Sequence, residues 1–120
     1  MIADGKKRWI TSSSAFNACG YKWNDIVLVS DSALSLVPTG QSITGPPCPY
    51  TLIRKASDPD PVYIVDIVET VMKKHYIYSR PVFDSCGYVW GEIVTLSDAA
   101  FNSVTTGLSL NYPPCPYARQ

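Results

Sequence analysis

Four cysteines are the residues of this chain with the clearest chemical potential. Cys19 and Cys48 have 28 residues between them, and the same spacing recurs between Cys86 and Cys115. Four cysteines allow three pairings, and the repeated spacing favours the disulfides Cys19–Cys48 and Cys86–Cys115. A disulfide that closes a loop of this size stabilises a protein by about 3 to 4 kcal/mol in the chain-entropy model. A zinc site and free buried thiols are the alternatives.

The other reactive residues of the sequence argue against a zinc site and against catalysis. A zinc site usually contains closely spaced cysteine or histidine pairs, and the chain has neither Cys-x-x-Cys nor a second histidine. His75 is the single histidine, and we expect it to be solvated rather than to act as a general base. No Ser-His-Asp set, nucleophile elbow or phosphate loop can be assembled. The sequence therefore predicts a protein that is not an enzyme and holds no cofactor or metal.

Aromatic side chains offer a second kind of chemistry, because they stack on sugar rings and are favoured at interfaces. We expect the repeated tryptophans, Trp23 and Trp90, to fill the core instead. The candidates for surface contact are Tyr21, Tyr50, Tyr88 and Tyr117.

Carboxylates at helix starts are better explained by helix capping than by catalysis or calcium binding. Asp31 and Asp98 each follow a serine, and a serine N-cap followed by an acidic residue is typical of a helix N-terminus. The acidic segment Asp58–Pro61 has each aspartate before a proline, which favours an extended or turn conformation. We expect a loop there rather than a calcium site.

A duplication underlies these recurrences. Residues 16–50 align with residues 83–117 at a constant offset of 67 without a gap, and nineteen of the 35 pairs are identical. Such a self-match indicates a tandem repeat. We define repeat one as residues 1–50 and repeat two as residues 51–120, which includes a lead-in strand. The counterpart of a residue is the residue 67 positions away in the other repeat. Where two residues are matched by their strand pairing instead, the pairing is given.

Each repeat is expected to begin with a β-hairpin. In repeat two, "PVYIVD" and "KKHYIYS" alternate in the manner of strands, with "IVETVM" extending the hairpin. Repeat one has Asp4-Gly5, a strong signal for a tight turn. Repeat two is also preceded by "TLIRKASDPDPVY", whereas repeat one begins at "MIAD" without that lead-in. The sequence therefore predicts an unpaired strand edge in repeat one.

A helix, a strand and a second helix follow the hairpin in each copy. Ser79 is expected to cap the first helix of repeat two, and Gly87 to end it. "DIVLV" and "EIVTL" are apolar and β-branched, which favours buried strands. Gly107 is expected to close the second helix, and the Pro-Pro-Cys-Pro-Tyr exit is expected to be rigid. The predicted fold class is α+β, with two tandem β-β-α-β-α repeats.

The landmarks, in order, resemble a repeat of bacterial secreted and cell-surface proteins. In repeat two the order is "VYIVD", "KKHYIYS", "VF", "CGY", "SD" and "TG"; the family pattern is of the type VY.V..GKKR.I.S..VF...GY.W..V..VSD..L...P.G. The resemblance covers residues 2–40 and 51–107, and the cysteine pairs and the Pro-rich exit depart from it. It implies a location beside cell-wall enzymes or in surface-layer-like arrays, and it assigns no catalytic residue.

The composition argues against nucleic-acid binding and against a membrane-spanning protein. The net charge is zero and basic residues are scattered, whereas nucleic-acid binding normally requires a basic stripe. No apolar run approaches the length of a membrane span. The first nine residues lack the apolar core of a signal peptide, which indicates a mature or recombinant chain, or another export route.

Two functions of different classes fit these observations. The first is an extracellular structural or assembly protein whose repeats self-associate head to tail, as a filament rather than a closed dimer. The second is a module that binds cell-wall or surface glycan. A viral capsid or tail component is a third.

Overall fold

The fold combines short helices with one main sheet. A computed structural model describes residues 1–3, 5–68, 71–111 and 115 of the 120-residue chain. The α-helices are α1 (Ser13–Ala18), α2 (Asp31–Ser35), α3 (Arg80–Ser85) and α4 (Asp98–Asn102). The strands are β1 (Ile2–Ala3), β2 (Lys6–Lys7), β3 (Leu52–Lys55), β4 (Asp58–Val68), β5 (Val71–Tyr76), β6 (Val94–Leu96) and β7 (Thr105–Thr106).

The main sheet has five strands in the order β6-β3-β4-β5-β7. The hairpin predicted for repeat two is confirmed, because β4 and β5 are antiparallel with Tyr63 opposite Tyr76. The outer strands β6 and β7 run parallel to their neighbours. The loop predicted at Asp58–Pro61 is wrong, since these residues begin β4. The conformation that proline imposes on itself and on the residue before it is already extended, and the turn falls at residues 56–57 instead.

Repeat one forms a much smaller sheet. β1 and β2 pair antiparallel, with Ile2 opposite Lys7. Gly5 has φ +68°, the left-handed conformation that a tight hairpin turn requires. Asp4, the other residue of the predicted turn, lies outside the described residues.

The starts of α2, α3 and α4 follow the sequence prediction, and α1 begins in the same way. In each case a serine hydroxyl accepts a hydrogen bond from the backbone N–H three residues later, at 3.0 to 3.4 Å. The capping residues are Ser12, Ser30, Ser79 and Ser97. Gly20 and Gly87 follow α1 and α3 with φ +77° and +73°, which is the predicted C-terminal cap conformation.

Gly107 has a different role from the predicted helix cap. Helix α4 already ends at Asn102, and a Cβ added to Gly107 would lie 2.6 Å from Cε1 of His75. The Nδ1 atom of His75 donates to the carbonyl oxygen of Leu108 at 2.7 Å. His75 therefore remains partly exposed to solvent, and a hydrogen bond holds its ring in place beside Gly107.

Arg8 makes the corresponding contact in repeat one. Its Nη1 donates to the carbonyl oxygen of Gln41 at 3.3 Å, and a Cβ on Gly40 would lie 3.1 Å from its Cζ. Because arginine and histidine both present a planar donor, either one fits beside the glycine. This shared packing explains why the Thr-Gly landmark recurs although the residue facing it differs.

Three clusters of buried apolar residues stabilise the fold. The largest centres on Phe83 and lies in repeat two: Leu52, Val62, Ile64, Ile77, Phe83, Cys86, Tyr88 and Leu110. A second, on the other face of the sheet, contains Ile53, Val65, Leu96 and Phe101. Among the described residues, the cluster of repeat one has three buried members, Cys19, Ile43 and Cys48, with Met1, Ile10 and Tyr21 partly buried against it. The core is thus unevenly divided between the two halves of the chain.

Both disulfides have the predicted partners. Cys19 is bonded to Cys48 and Cys86 to Cys115, with Cα–Cα distances of 5.6 and 5.8 Å. No cysteine is left as a thiol, so neither the zinc site nor the free-thiol alternative holds.

Candidate interaction surface

The strongest candidate for an interaction surface is the segment between α1 and α2 in repeat one. The predicted strand "DIVLV" is not formed, because residues 26–29 belong to no helix or strand. The side chains of Val27 and Leu28 are 79% and 93% exposed. In repeat two, three of the four corresponding residues form β6 (Val94–Leu96), and there Leu96 is buried. The same landmarks thus lie in two different environments.

Strand pairing explains the difference. β6 is parallel to β3, with Ile53 opposite Val94 and Lys55 opposite Leu96. The counterpart of β3 would lie 67 positions earlier, and residues 1–120 contain no such strand. An isolated apolar segment leaves its backbone groups without a ladder, so residues 26–29 remain outside a sheet.

An apolar cluster of repeat two has its matching residues exposed in repeat one. Val65, Leu96 and Phe101 are at most 6% exposed. Their equivalents are Ile2, matched by its register opposite Lys7, and the counterparts Val29 and Leu34. These three are 54%, 55% and 41% exposed. The fourth member of the cluster, Ile53, is the one without an equivalent in residues 1–120.

The exposed residues line a large groove. Its volume is about 700 Å³, and it extends from repeat one to Leu52 and Tyr88 of repeat two. We call it the open groove, and the exposed aliphatic residues that line it in repeat one are Ile2, Ile26, Val27, Val29 and Leu34. Leu28 is not part of the lining. Contiguous exposed apolar surface of this kind marks binding sites in soluble proteins.

In repeat two, a carboxylate lies at the end of the strand pair formed by β3 and β6. The Oδ1 atom of Asp98 accepts a hydrogen bond from the backbone N–H of Ser57 at 3.1 Å. Hydrogen bonds from the Ser57 hydroxyl and backbone lower the pKa of Asp98, and the charge of Lys55 adds to this. Asp31 occupies the same first-turn position at α2. It places a negative charge where the turn after β3 would lie.

A lysine on the second hairpin strand holds the end of the second helix in both repeats. Lys74 is buried, and its Nζ donates to the carbonyl oxygens of Phe101 and Val104 at 2.9 and 2.5 Å. Burial lowers the pKa of Lys74, and repulsion from Lys55 adds to the effect. In repeat one, Nζ of Lys7 donates to Leu34 at 3.3 Å. The helix that walls the open groove is therefore anchored although its sheet is short.

The four tyrosines predicted as surface contacts have different environments. Tyr88 is buried, and it is one of the residues that line the open groove. Tyr21 is half-buried and its hydroxyl donates to the carbonyl oxygen of Pro49 at 2.8 Å. Tyr50 is half-buried with φ +59°. Tyr117 lies outside the described residues.

The tryptophans predicted in the core are on the surface. Trp23 and Trp90 are about half exposed. Each ring packs over a phenylalanine, Phe16 at 4.2 Å and Phe83 at 4.0 Å between centroids. The phenylalanines are buried as predicted. They occupy the inner position, which leaves each tryptophan as the outer layer.

Two further findings concern metals and membranes. Residues 1–3, 5–68, 71–111 and 115 hold no cluster of three or more metal-ligating side chains. Within these ranges, no helix has the length and apolar character needed to span a membrane. The two disulfides are consistent with an extracellular or otherwise oxidising compartment.

The sequence predicts an unpaired strand edge in repeat one, and it also predicts that the apolar run "DIVLV" is a buried strand. These two predictions are incompatible, and only the exposed edge agrees with the structure. The informative signal was the combination of the two, because a buried strand needs a neighbour. Comparisons of the chain with protein-family models, curated proteins and solved structures found no match.

Proposed function

We propose that this chain is a non-enzymatic structural protein of the bacterial exterior, built of tandem repeats that associate head to tail. The observation that carries the proposal is the open groove of repeat one. Its apolar residues Ile2, Val29 and Leu34 are exposed, whereas the equivalent residues of repeat two are buried in a cluster with Ile53 of β3. A preceding repeat that docks there would cover the groove.

The junction inside the chain supports head-to-tail association. After Cys48, the chain runs directly onto the sheet of repeat two. There the N–H of Tyr50 donates to the carbonyl oxygen of Val65 at 2.8 Å, and the N–H of Val65 donates to Thr51 at 2.9 Å. Ile2 is the equivalent of Val65 in strand register. A neighbouring molecule would thus meet repeat one as repeat one meets repeat two.

Such contacts are heterologous, so they produce an open filament unless the rotation closes a ring. The two disulfides suit the proposed location, because extracellular proteins keep their cysteines oxidised. They also compensate for the small core of repeat one, as staples do in small scaffolds.

Light scattering over a wide concentration range, with electron microscopy of the same samples, tests the proposal. We expect oligomers whose mass grows with concentration. Val29→Asp should reduce the mass because it charges the groove. Thr95→Asp is the matched control, since Thr95 is exposed on the covered strand β6. A monomer at every concentration would overturn self-association.

Glycan binding is a second candidate, favoured by exposed indole rings. Trp9, Trp23 and Trp90 are 69%, 56% and 47% exposed, and an exposed aromatic face can stack on a sugar ring. Co-sedimentation with purified peptidoglycan tests it. Retention that is lost in Trp23→Ala and Trp90→Ala, in a protein that stays monomeric, would favour this candidate over assembly.

A further inference from the structure

The cluster around Ile53 in repeat two provides a template for what the open groove accepts. Ile53 is 1% exposed and packs with Val65, Leu96 and Phe101. It reaches that position because β3 runs parallel to β6, with Ile53 opposite Val94. One aliphatic side chain on an extended strand therefore completes this cluster.

Repeat one contains residues equivalent to three members of this cluster, but no described residue equivalent to Ile53. Ile2, Val29 and Leu34 correspond to Val65, Leu96 and Phe101, and all three line the open groove. Their exposure of 41% to 55% shows that no described residue covers them as Ile53 covers their equivalents. The groove thus has the shape of a cluster that lacks its central residue.

We propose that the open groove is the docking site for the lead-in strand of another repeat, an extended segment of the pattern aliphatic–aliphatic–basic. The strand adds in parallel beside residues 27–29 and places its second aliphatic side chain among Ile2, Val29 and Leu34. The proposal rests on the proposed function in using the same face. It goes further by naming the segment that is recognised, its orientation and its central side chain.

Charge complementarity specifies the basic end of the strand. In repeat two, Lys55 ends β3 opposite Leu96, and its charge acts on Asp98 at the start of α4. Asp31 is the exposed first-turn carboxylate at the corresponding place of repeat one. A strand that ends in lysine or arginine would bring a positive charge beside it. An acidic strand would meet repulsion instead.

The number of strands in the molecule limits which chain can supply the strand that docks in the open groove. The described residues provide two edges of this kind, residues 27–29 and β6, and one lead-in strand, β3, which already pairs with β6. A second copy could donate its β3 only by uncovering its own β6, so such an exchange leaves as many edges open as before. The strand that completes the cluster is therefore the lead-in strand of a separate repeat, not β3 of an identical molecule. Head-to-tail contact between identical chains would use the remaining lining of the open groove and leave this cluster without its central side chain.

This form of recognition is β-strand addition, in which the backbone supplies the ladder and alternate side chains enter pockets. A synthetic peptide with the sequence of residues 50–57, "YTLIRKAS", is the probe. Titration into the 120-residue chain, followed by isotope-edited NMR, should show saturable binding with shifts at residues 27–29. The same peptide with Ile53→Asp should bind at least about tenfold more weakly, since it loses one buried aliphatic side chain.

Matched variants of the chain distinguish binding in the open groove from non-specific binding of the peptide. Val29→Asp should weaken peptide binding at least about tenfold, because Leu96, its counterpart, is buried. Leu28→Asp should leave the affinity within about twofold, since Leu28 does not line the groove. Equal loss in both variants would overturn the proposal. Circular dichroism and disulfide mapping establish that each variant is folded.

Orientation gives an independent readout. A nitroxide on the C-terminus of the peptide should broaden amide signals near Ser30 and Asp31, and one on the N-terminus should broaden those near Asp25. The reverse pattern means antiparallel addition and overturns the proposal.

The outcomes distinguish this inference from self-association. A monomeric chain that binds the peptide supports the docking site and refutes assembly by the chain alone. An oligomeric chain that ignores the peptide at every protein concentration, including dilutions at which the chain is monomeric, refutes the docking site and leaves assembly standing.

Discussion

Residues 26–29 and residues 93–96 begin with the same Ile-Val pair, yet they differ in structure. In repeat two, residues 94–96 form a strand beside β3 and Leu96 is buried. In repeat one the matching residues have no partner strand and remain exposed. The difference teaches that strand formation here depends on the neighbour and not on the segment, in agreement with the context dependence of β-propensity.

Other contacts are the same in the two halves. Arg8 and His75 approach Gly40 and Gly107 in the same way, and the phenylalanine–tryptophan packing recurs. These contacts all join residues within one repeat. None of these shared contacts involves β3, whereas Leu96 is buried in a cluster with Ile53 of that strand.

The largest expected effect concerns the disulfides. Cys19→Ala with Cys48→Ala should lower the free energy of unfolding by about 3 to 4 kcal/mol, because the unfolded chain gains loop entropy. Cys86→Ala with Cys115→Ala should cost a similar amount. Denaturant unfolding of both double variants measures these values.

Hydrogen exchange of the same variants sharpens the comparison. Two of the three buried residues in the cluster of repeat one are its cysteines, whereas Cys86 is one of eight in its cluster. We expect the first double variant to lose amide protection throughout residues 10–48. The second should keep protection in β4 and β5. Equal loss in both halves would contradict the uneven division of the core.

A smaller effect tests the strand directly. Leu96→Ala should cost about 2 to 4 kcal/mol, because it leaves a cavity in a buried cluster. Val29→Ala, at the matching position, should change stability by less than about 0.5 kcal/mol, as exposed substitutions do. Chemical denaturation of the two variants checks the pair. A cost above about 1 kcal/mol for Val29→Ala would mean that this segment is covered in solution.

The sequence was informative where the cause of a structure is local. The disulfide pairing followed from repeated spacing, and the serine caps followed from the residue before each helix. The turn at Gly5 followed from the steric freedom of glycine. Each of these features is decided by residues within one short segment, or by a spacing that occurs twice.

Three of the incorrect sequence predictions concern contacts between different segments of the chain. Whether "DIVLV" forms a strand depends on β3, which only repeat two provides. The role of Gly107 depends on His75, on a different strand, so a helix cap was predicted instead. Burial of Trp90 was predicted from its type, but Phe83 occupies the inner place. None of these three outcomes is visible in a local pattern.

The tryptophans provide a prediction of intermediate size. Trp90→Ala and Trp23→Ala should each cost about 1 to 2 kcal/mol, because each half-exposed ring loses a stacked phenylalanine. Trp9→Ala is the control, since Trp9 is more exposed, and should cost less than about 0.5 kcal/mol. Thermal or denaturant unfolding measures all three. A loss above about 3 kcal/mol for Trp90→Ala would place the ring in the core, as the sequence predicted.

The smallest expected effect is on the pH dependence of stability. Hydrogen bonds from Ser57 lower the pKa of Asp98 below its ordinary value of 3.8. A carboxylate with a lowered pKa in the folded state stabilises the protein above its unfolded-state pKa, and this contribution is lost as the pH falls through the folded-state value. Asp98→Asn should therefore flatten the decrease in stability below about pH 4.

Asp31→Asn is the matched control for this titration, because Asp31 has the same first-turn position but no β3–β4 turn beside it. Both variants lose the favourable charge at a helix N-terminus, so the hydrogen bonds of Ser57 and, to a smaller extent, the charge of Lys55 distinguish them. Unfolding midpoints in denaturant between pH 2.5 and pH 7 measure the difference. If Asp31→Asn flattens the acid limb as much as Asp98→Asn does, then the hydrogen bonds of Ser57 are not the cause. The titration would then report the helix ends alone, and the two repeats would be equivalent at this position.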